Sequence, residues 1–167
     1  MKRAHAALFL TFALLLASTG SVSAQDISVN FGNNGTGVSG ILWRARILPV
    51  RVCNSGGCPY TAIADGLRFA ADNSARVINM SLGGSADSAL MKDAVDYAAG
   101  RGVLLVAAAG NDGVETPGYP AYYDNVIAVA ATDNQDALAS FSQRGSWIDI
   151  SAPGKNILST YLSGSTA

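Results

Sequence analysis

The sequence has a single histidine, His5, among 167 residues. It sits in a leader-like start. Lys2 and Arg3 come first, then an apolar run over residues 6–17 broken only by Thr11, then small and polar residues ending Val22-Ser23-Ala24. This pattern predicts a secretory signal peptide over residues 1–24, cleaved before Gln25, and hence an extracellular or periplasmic product. A membrane anchor is the alternative reading, but the run is short for a span, and no cysteine follows the cleavage point to carry a lipid. With the leader removed no imidazole remains. As written, the chain therefore has no histidine general base and is not expected to run a serine–histidine–aspartate mechanism.

Charge is also scarce, at 14% of residues, while 49% are hydrophobic. That balance excludes disorder and predicts one domain with a buried core. Losing Lys2 and Arg3 with the leader reduces 11 basic residues to nine, against 12 acidic ones, a net charge of −3. The charges are scattered with no basic stripe, which argues against nucleic acid as a partner. No second apolar stretch is long enough to cross a membrane, so no membrane partner is expected after cleavage.

There are only two cysteines, Cys53 and Cys58, flanking Asn54-Ser55-Gly56-Gly57. Their spacing does not fit a C-x-x-C redox site, and no further Cys or His is present to complete a zinc site. In an oxidising compartment a local disulfide is expected, with two free thiols as the alternative.

What remains alternates. Residues 47–52 read as a strand, 61–72 as a helix with Ile63, Ala64, Leu67, Ala70 and Ala71 on one face, and 76–80 as a strand. Residues 87–99 read as a second helix that Arg101-Gly102 ends, 103–108 as an apolar strand, and 126–131 and 147–151 as further strands. Ile27-Ser28-Val29-Asn30-Phe31 has weak strand character. Strand–helix alternation predicts an α/β fold, three-layer with a mainly parallel central sheet. Ligands in such sheets bind beyond the carboxyl ends of the strands, which singles out the loops at residues 53–60, 81–85 and 109–113.

Gly35-Thr36-Gly37-Val38-Ser39-Gly40 matches the G-x-G-x-x-G spacing of dinucleotide sites. That chemistry needs a helix starting at the third glycine, so that its N-terminus meets the pyrophosphate. Here six residues lead into a strand carrying Pro49, and no acidic residue follows at the ribose-contact distance. A structural turn is the better reading.

Two strand ends are distinctive: Val77-Ile78-Asn79-Met80-Ser81-Leu82-Gly83-Gly84 and Val106-Ala107-Ala108-Ala109-Gly110-Asn111-Asp112-Gly113. As neighbours they would lie about 4.8 Å apart, with small residues lining a slot and open backbone groups for an extended peptide. Taken singly, the glycines read as turns and the alanines as core.

Together these stretches resemble the subtilisin-like serine proteases. Gly118-Tyr119-Pro120-Ala121-Tyr122-Tyr123, Val126-Ile127-Ala128-Val129, Ala139-Ser140-Phe141-Ser142 and Ser151-Ala152-Pro153-Gly154 continue the likeness in order, over roughly residues 34–161. The resemblance implies a partial catalytic domain at residues 34–167 behind a junction segment at 25–33, with an incomplete subtilisin-like fold. It implies that Asn111 donates its side-chain amide to the oxyanion. Loss of such a donor costs about 10²–10³ in rate, a magnitude known from a member of that family. Ser81, Leu82 and Gly83 would form one wall of the primary specificity pocket. Ala108, Ala109 and Gly110 would form the facing wall, with Asp112 near the floor and Gly118 at the end. Gly56, Gly57 and Tyr60 would flank the more distal substrate residues. The implied partner is an extended peptide or protein, and the chemistry needs no cofactor. Asn34, with Asn33, lies in what looks like the family's calcium loop, where Gly32, Thr36 and Val38 would offer carbonyls to a structural ion.

The family's three catalytic runs, of the kinds Asp-Thr-Gly, His-Gly-Thr-His and Gly-Thr-Ser-Met-Ala, do not occur in this sequence. Ser163-Gly164-Ser165-Thr166-Ala167 is loosely similar to the last with two residues exchanged, and neither serine is expected to be a nucleophile. Asp26 lacks the surrounding aspartate pattern. A serine without a base is a weak nucleophile, so inactivity is expected for this chain, with a non-catalytic peptide-binding remnant as the alternative. Missing neighbours of the sheet would leave apolar surface exposed.

Overall fold

The computed structural model describes residues 27–30 and 44–157. The leader, the G-x-G-x-x-G stretch, the Asn34 loop and residues 158–167, including Ser163 and Ser165, lie outside the described residues.

Two short strands, β1 (Ile27–Asn30) and β2 (Arg44–Ile47), pair antiparallel as a separate ribbon. Then follow α1 (Tyr60–Asp72), β3 (Val77–Met80), α2 (Ala89–Gly100), β4 (Leu104–Ala108), β5 (Val126–Thr132) and β6 (Ile150–Pro153). The last four strands form one parallel sheet in the order β3-β4-β5-β6. An α/β fold with a parallel sheet, expected from the alternation, is what forms.

Each helix follows from its local sequence. In α1 the residues at helical spacing, Ile63, Ala64, Leu67, Ala70 and Ala71, are the buried ones. Asn73 closes the helix, its Nδ2 donating to the Phe69 carbonyl at 2.8 Å. In α2 the Ser88 hydroxyl accepts from the Met91 amide, a cap that supports a helix start by about 1 kcal/mol. Met91, Ala94, Val95 and Ala98 face inward, and Gly102, at φ +77°, takes the left-handed conformation that ends the helix.

The two helices pack on each other. They share a core with Met80, Leu105, Ala107, Val126, Ala128 and Tyr123. Along β4 the alternate residues Leu105 and Ala107 turn toward this core, while Leu104, on the other face, is 49% exposed. Leu104 is paired in register with Val77, which is 50% exposed. Among the described residues, helices therefore cover one face of the sheet, and on its other face Val77 and Leu104 are exposed while Val106 is buried.

Two strand expectations also need correction. Residues 48–52 join no ladder, and only Ile47 belongs to β2. Pro49 has no amide to donate. The segment packs instead by side chain: a Cβ at Gly66 of α1 would collide with the Val52 side chain and lie 3.1 Å from Val50 Cγ1. The last strand lies at Ile150–Pro153 rather than 147–151. Trp147 is held by its indole, which donates to the Glu115 carbonyl at 3.1 Å, and Asp149 by its carboxylate, which accepts from the Ala128 amide at 2.7 Å.

Candidate active-site cleft

Met80 and Ala107 are paired neighbours near the carboxyl ends of β3 and β4. The chain leaves both strands at the same edge of the sheet, so Ser81–Leu82–Gly83 and Ala109–Gly110–Asn111 begin side by side. Asn79 Nδ2 donates to Ser81 Oγ at 3.0 Å, which fixes the first residue beyond β3. Ala109 is buried, and its amide donates to the Val129 carbonyl at 3.0 Å. The facing segment is thus an extension of the sheet rather than a free loop.

The far end of the slot is closed by backbone. Gly84 N–H donates to Tyr119 O at 3.0 Å and Tyr119 N–H to Gly84 O at 2.8 Å. Side chains have no room there: a Cβ on Gly83 would meet Tyr119 O at 3.1 Å, and one on Gly118 would meet Ala109 O at 2.7 Å. The pocket's narrowness is therefore a property of three backbones meeting.

The first loop reaches the same place. Cys53 and Cys58 are joined by a disulfide. Inside it Asn54 and Gly57 exchange two backbone hydrogen bonds at 2.9 and 3.1 Å, and Asn54 Oδ1 accepts from Gly56 N–H at 2.8 Å. Gly57 has φ +112°, open to glycine at little cost. Tyr60, the first residue of α1, donates its hydroxyl to the Ala86 carbonyl at 2.9 Å. That bond spans from the disulfide loop to the loop after β3, so all three sequence-selected loops meet.

Asn111 is exposed, and its side chain makes no hydrogen bond among the described residues. Asp112 is exposed as well. Its backbone amide donates to Gln143 Oε1 at 2.9 Å. Gln143 is only 4% exposed and was not selected by sequence reasoning. A glutamine in Ser142-Gln143-Arg144-Gly145 looks like a solvated turn residue, and nothing local marks it as buried. Tyr119 and Gly84, which close the slot, were also missed as a pair because their contact is long-range.

The wall carries one strongly perturbed group. Tyr123 is buried, and its hydroxyl donates to Asp87 Oδ1 at 2.8 Å and to the Ser88 carbonyl at 3.1 Å. Burial, with Asp87 adding, pushes its phenol up to about 12, so it stays neutral and acts as a structural donor. Burial and the nearby Asp87 carboxylate also hold Tyr119 above the usual tyrosine range. Among the described residues no group of three or more His, Cys, Asp or Glu is placed to hold a metal ion. No helix there is long and apolar enough to cross a membrane.

Two strand ends thus run on side by side, with backbone segments closing one end of the gap between them and the unengaged Asn111 amide just beyond β4. Comparison with known proteins gives this geometry its context. Residues 27–167 match the model of the subtilase family. Thermitase from Thermoactinomyces vulgaris is 52% identical over 130 residues, covering 77% of this chain and 47% of that protein. A thermophilic serine proteinase from Bacillus sp. (strain AK1) is 46% identical over 142 residues, covering 80% of this chain and 35% of that protein. Among solved structures, the S41 psychrophilic protease superposes with a TM-score of 0.65 at 39% identity, covering 72% of this chain and 47% of that one. The chain spans about half or less of the length of these relatives. In sequence, in fold and in the strand ends that frame its cleft, it belongs to the subtilase family of serine proteases.

Proposed function

We propose that this chain carries the substrate-binding half of a secreted subtilisin-like endopeptidase cleft, and that it holds an extended peptide without cleaving it. Ser81, Leu82 and Gly83 would take the substrate strand on one side, and Ala108, Ala109 and Gly110 on the other. Gly118 would bound the primary pocket, with Asp112 near its floor. Gly56, Gly57 and Tyr60 would flank the distal residues. Asn111 would donate its amide to the oxygen that becomes negative during attack on the scissile carbonyl. The observation that carries this reading is the free Asn111 side chain at the mouth of a slot whose walls Gly84 and Tyr119 tie together.

Peptide-bond hydrolysis through an acyl-enzyme is the activity proposed for the whole family domain. It needs a nucleophile and a base, and the runs that would supply them are not in this sequence. An oxyanion donor and a cleft alone leave about 10³–10⁴ over water, negligible for a peptide bond. The signal-like start supports export. A calcium ion at Asn34 would be structural only, read as a rise in melting temperature on adding calcium.

The deciding experiment uses the purified chain. Calorimetry with an extended peptide carrying an apolar residue at the pocket position should show binding. A peptide ester should not be hydrolysed, and a fluorophosphonate should not label the protein. Ester hydrolysis with labelling would overturn the inactivity. No peptide binding would overturn the cleft assignment.

A further inference from the structure

The Asn111 side chain makes no hydrogen bond among the described residues, so its position is set by the backbone on either side of it. One residue holds both sides. The backbone amide of Gln143 donates to the Gly110 carbonyl at 3.2 Å, and its side-chain Oε1 accepts from the Asp112 amide at 2.9 Å. Gln143 therefore bridges the residues immediately before and after Asn111.

Its side chain also fills the space that fixes the turn. Gly110 sits at φ +126°, and a Cβ there would lie 3.0–3.2 Å from Cδ, Cγ and Nε2 of Gln143. Nε2 points toward the Thr116 carbonyl, at 3.5 Å. At 4% exposure, this amide is kept from water and committed to the loop. Flanking bonds hold the same two segments together: Gly113 N–H to Phe141 O at 2.8 Å, Arg144 N–H to Val114 O at 3.1 Å, and Arg144 Nη1 to Gly113 O at 2.7 Å.

We propose that Gln143 is a positioning residue for the oxyanion donor: it clamps Gly110 and Asp112 so that the Asn111 amide is pre-aimed into the cleft. This rests on the assignment of Asn111 above. A donor aimed in advance loses nothing to reorganisation when charge develops, and displacement by a fraction of an ångström weakens it steeply. Gln143 bonds to Gly110 and Asp112 on the β4 side of the cleft, whereas the Ser81–Gly84 side hangs from β3 and the Gly84–Tyr119 bonds. Its loss is therefore felt more by the tetrahedral, negatively charged species, which needs the aimed Asn111 amide, than by the ground-state peptide.

The test uses the full chain and two variants. Gln143→Leu keeps the bulk beneath Gly110 and removes the acceptor, while Gln143→Glu keeps an acceptor at the same reach. Amide hydrogen exchange reads the clamp directly. In Gln143→Leu the Asp112 amide should exchange about tenfold faster or more, with the Ala109 amide, bonded to Val129, unchanged. Gln143→Glu should keep Asp112 protected.

A pair of probes reads the consequence: an extended peptide amide, and the same peptide as a phosphonate monoanion whose P–O⁻ stands for the oxyanion. Gln143→Leu should lose about tenfold of the preference for the phosphonate over the amide, in the same direction as Asn111→Ala, with affinity for the amide falling less than affinity for the phosphonate. An unchanged preference with Asp112 still protected would overturn the proposal. Faster exchange at Asp112 and Ala109 alike, in both variants, would reduce Gln143 to packing and overturn it too. If Gln143→Leu does not fold, Gln143→Glu decides: Asp112 protection kept supports the clamp, and protection lost sinks it. If neither probe binds the unaltered chain, the cleft assignment fails, and exchange at Asp112 still decides the clamp.

Discussion

Gly84 and Tyr119, 35 positions apart, exchange two backbone hydrogen bonds of 3.0 and 2.8 Å. They join the loop after β3 to the long connection between β4 and β5. The gap between the two strand ends is thereby closed on its far side by main-chain bonds. A closure built this way tolerates little change at Gly83 and Gly118.

Gly118 is where that intolerance is sharpest. Its missing Cβ would stand 2.7 Å from the Ala109 carbonyl, which β4 and β5 hold in place. Gly118→Ala should destabilise the fold by about 1–3 kcal/mol, the usual cost of overpacking, and weaken binding of an extended peptide. Urea denaturation and calorimetry measure the two effects. Stability and affinity both matching the parent chain would show that the pocket end is softer than this contact implies.

Asn111 should behave in the opposite way. Its side chain is exposed and unengaged among the described residues, so Asn111→Ala should leave folding stability within about 0.5 kcal/mol of the original. Only ligands that place negative charge at the cleft mouth should notice. A large loss of stability would mean that the amide is a structural bond and not a waiting donor.

The Cys53–Cys58 bond closes a six-residue loop that already holds itself by the Asn54–Gly57 pair. Loop-closure entropy for so short a segment is about 2 kcal/mol. Replacing both cysteines with serine should lower stability by no more than that. The helical signal of α1 should survive, while peptide affinity falls as the Gly56–Gly57 edge loosens. Denaturation with and without reductant checks this, since reductant should affect only the parent chain.

Tyr123 predicts an alkaline limit. Its phenol is raised from the ordinary 10 to about 12, by burial first, with Asp87 adding and the Ser88 backbone amide, which donates to the phenol oxygen at 3.2 Å, opposing. Between those values the unfolded chain releases the proton while the folded chain keeps it. The stabilisation is therefore complete below pH 10 and is lost as pH rises through 12. Two pKa units correspond to roughly 3 kcal/mol at most. Tyr123→Phe should be less stable near pH 8, having lost the hydrogen bonds to Asp87 and Ser88, and should decline less between pH 10 and 12. Parallel stability curves for the two proteins would refute the assignment.

Much of the fold was legible locally. Ile63, Leu67 and Ala70 announce α1 by spacing, and Ser88 and Gly102 bracket α2 by their own backbone preferences. The apolar run at residues 103–108 marks a strand of a parallel sheet. Residues 48–52 misled because apolar alternation states only which side chains seek burial. Val50 and Val52 found it against Gly66 of α1, where no partner strand is needed. Leu104 shows the converse: an apolar residue in a strand does not guarantee a cover for its face.

The cleft divides in the same way. The small residues at the two strand ends, the amide of Asn111 and the presence of a single histidine, His5, are matters of composition and order, and the sequence by itself determined them. It also determined the family, because long runs of residues keep their order whether or not the domain is whole. Only tertiary structure decided that Gly84 meets Tyr119, that Tyr60 reaches Ala86, and that a glutamine in an unremarkable turn is buried beneath Gly110 with its amide on Asp112. Those are contacts between residues 26 to 35 positions apart. They exist because parallel strands bring their carboxyl ends to one edge of the sheet, and no local preference of the residues involved encodes that meeting.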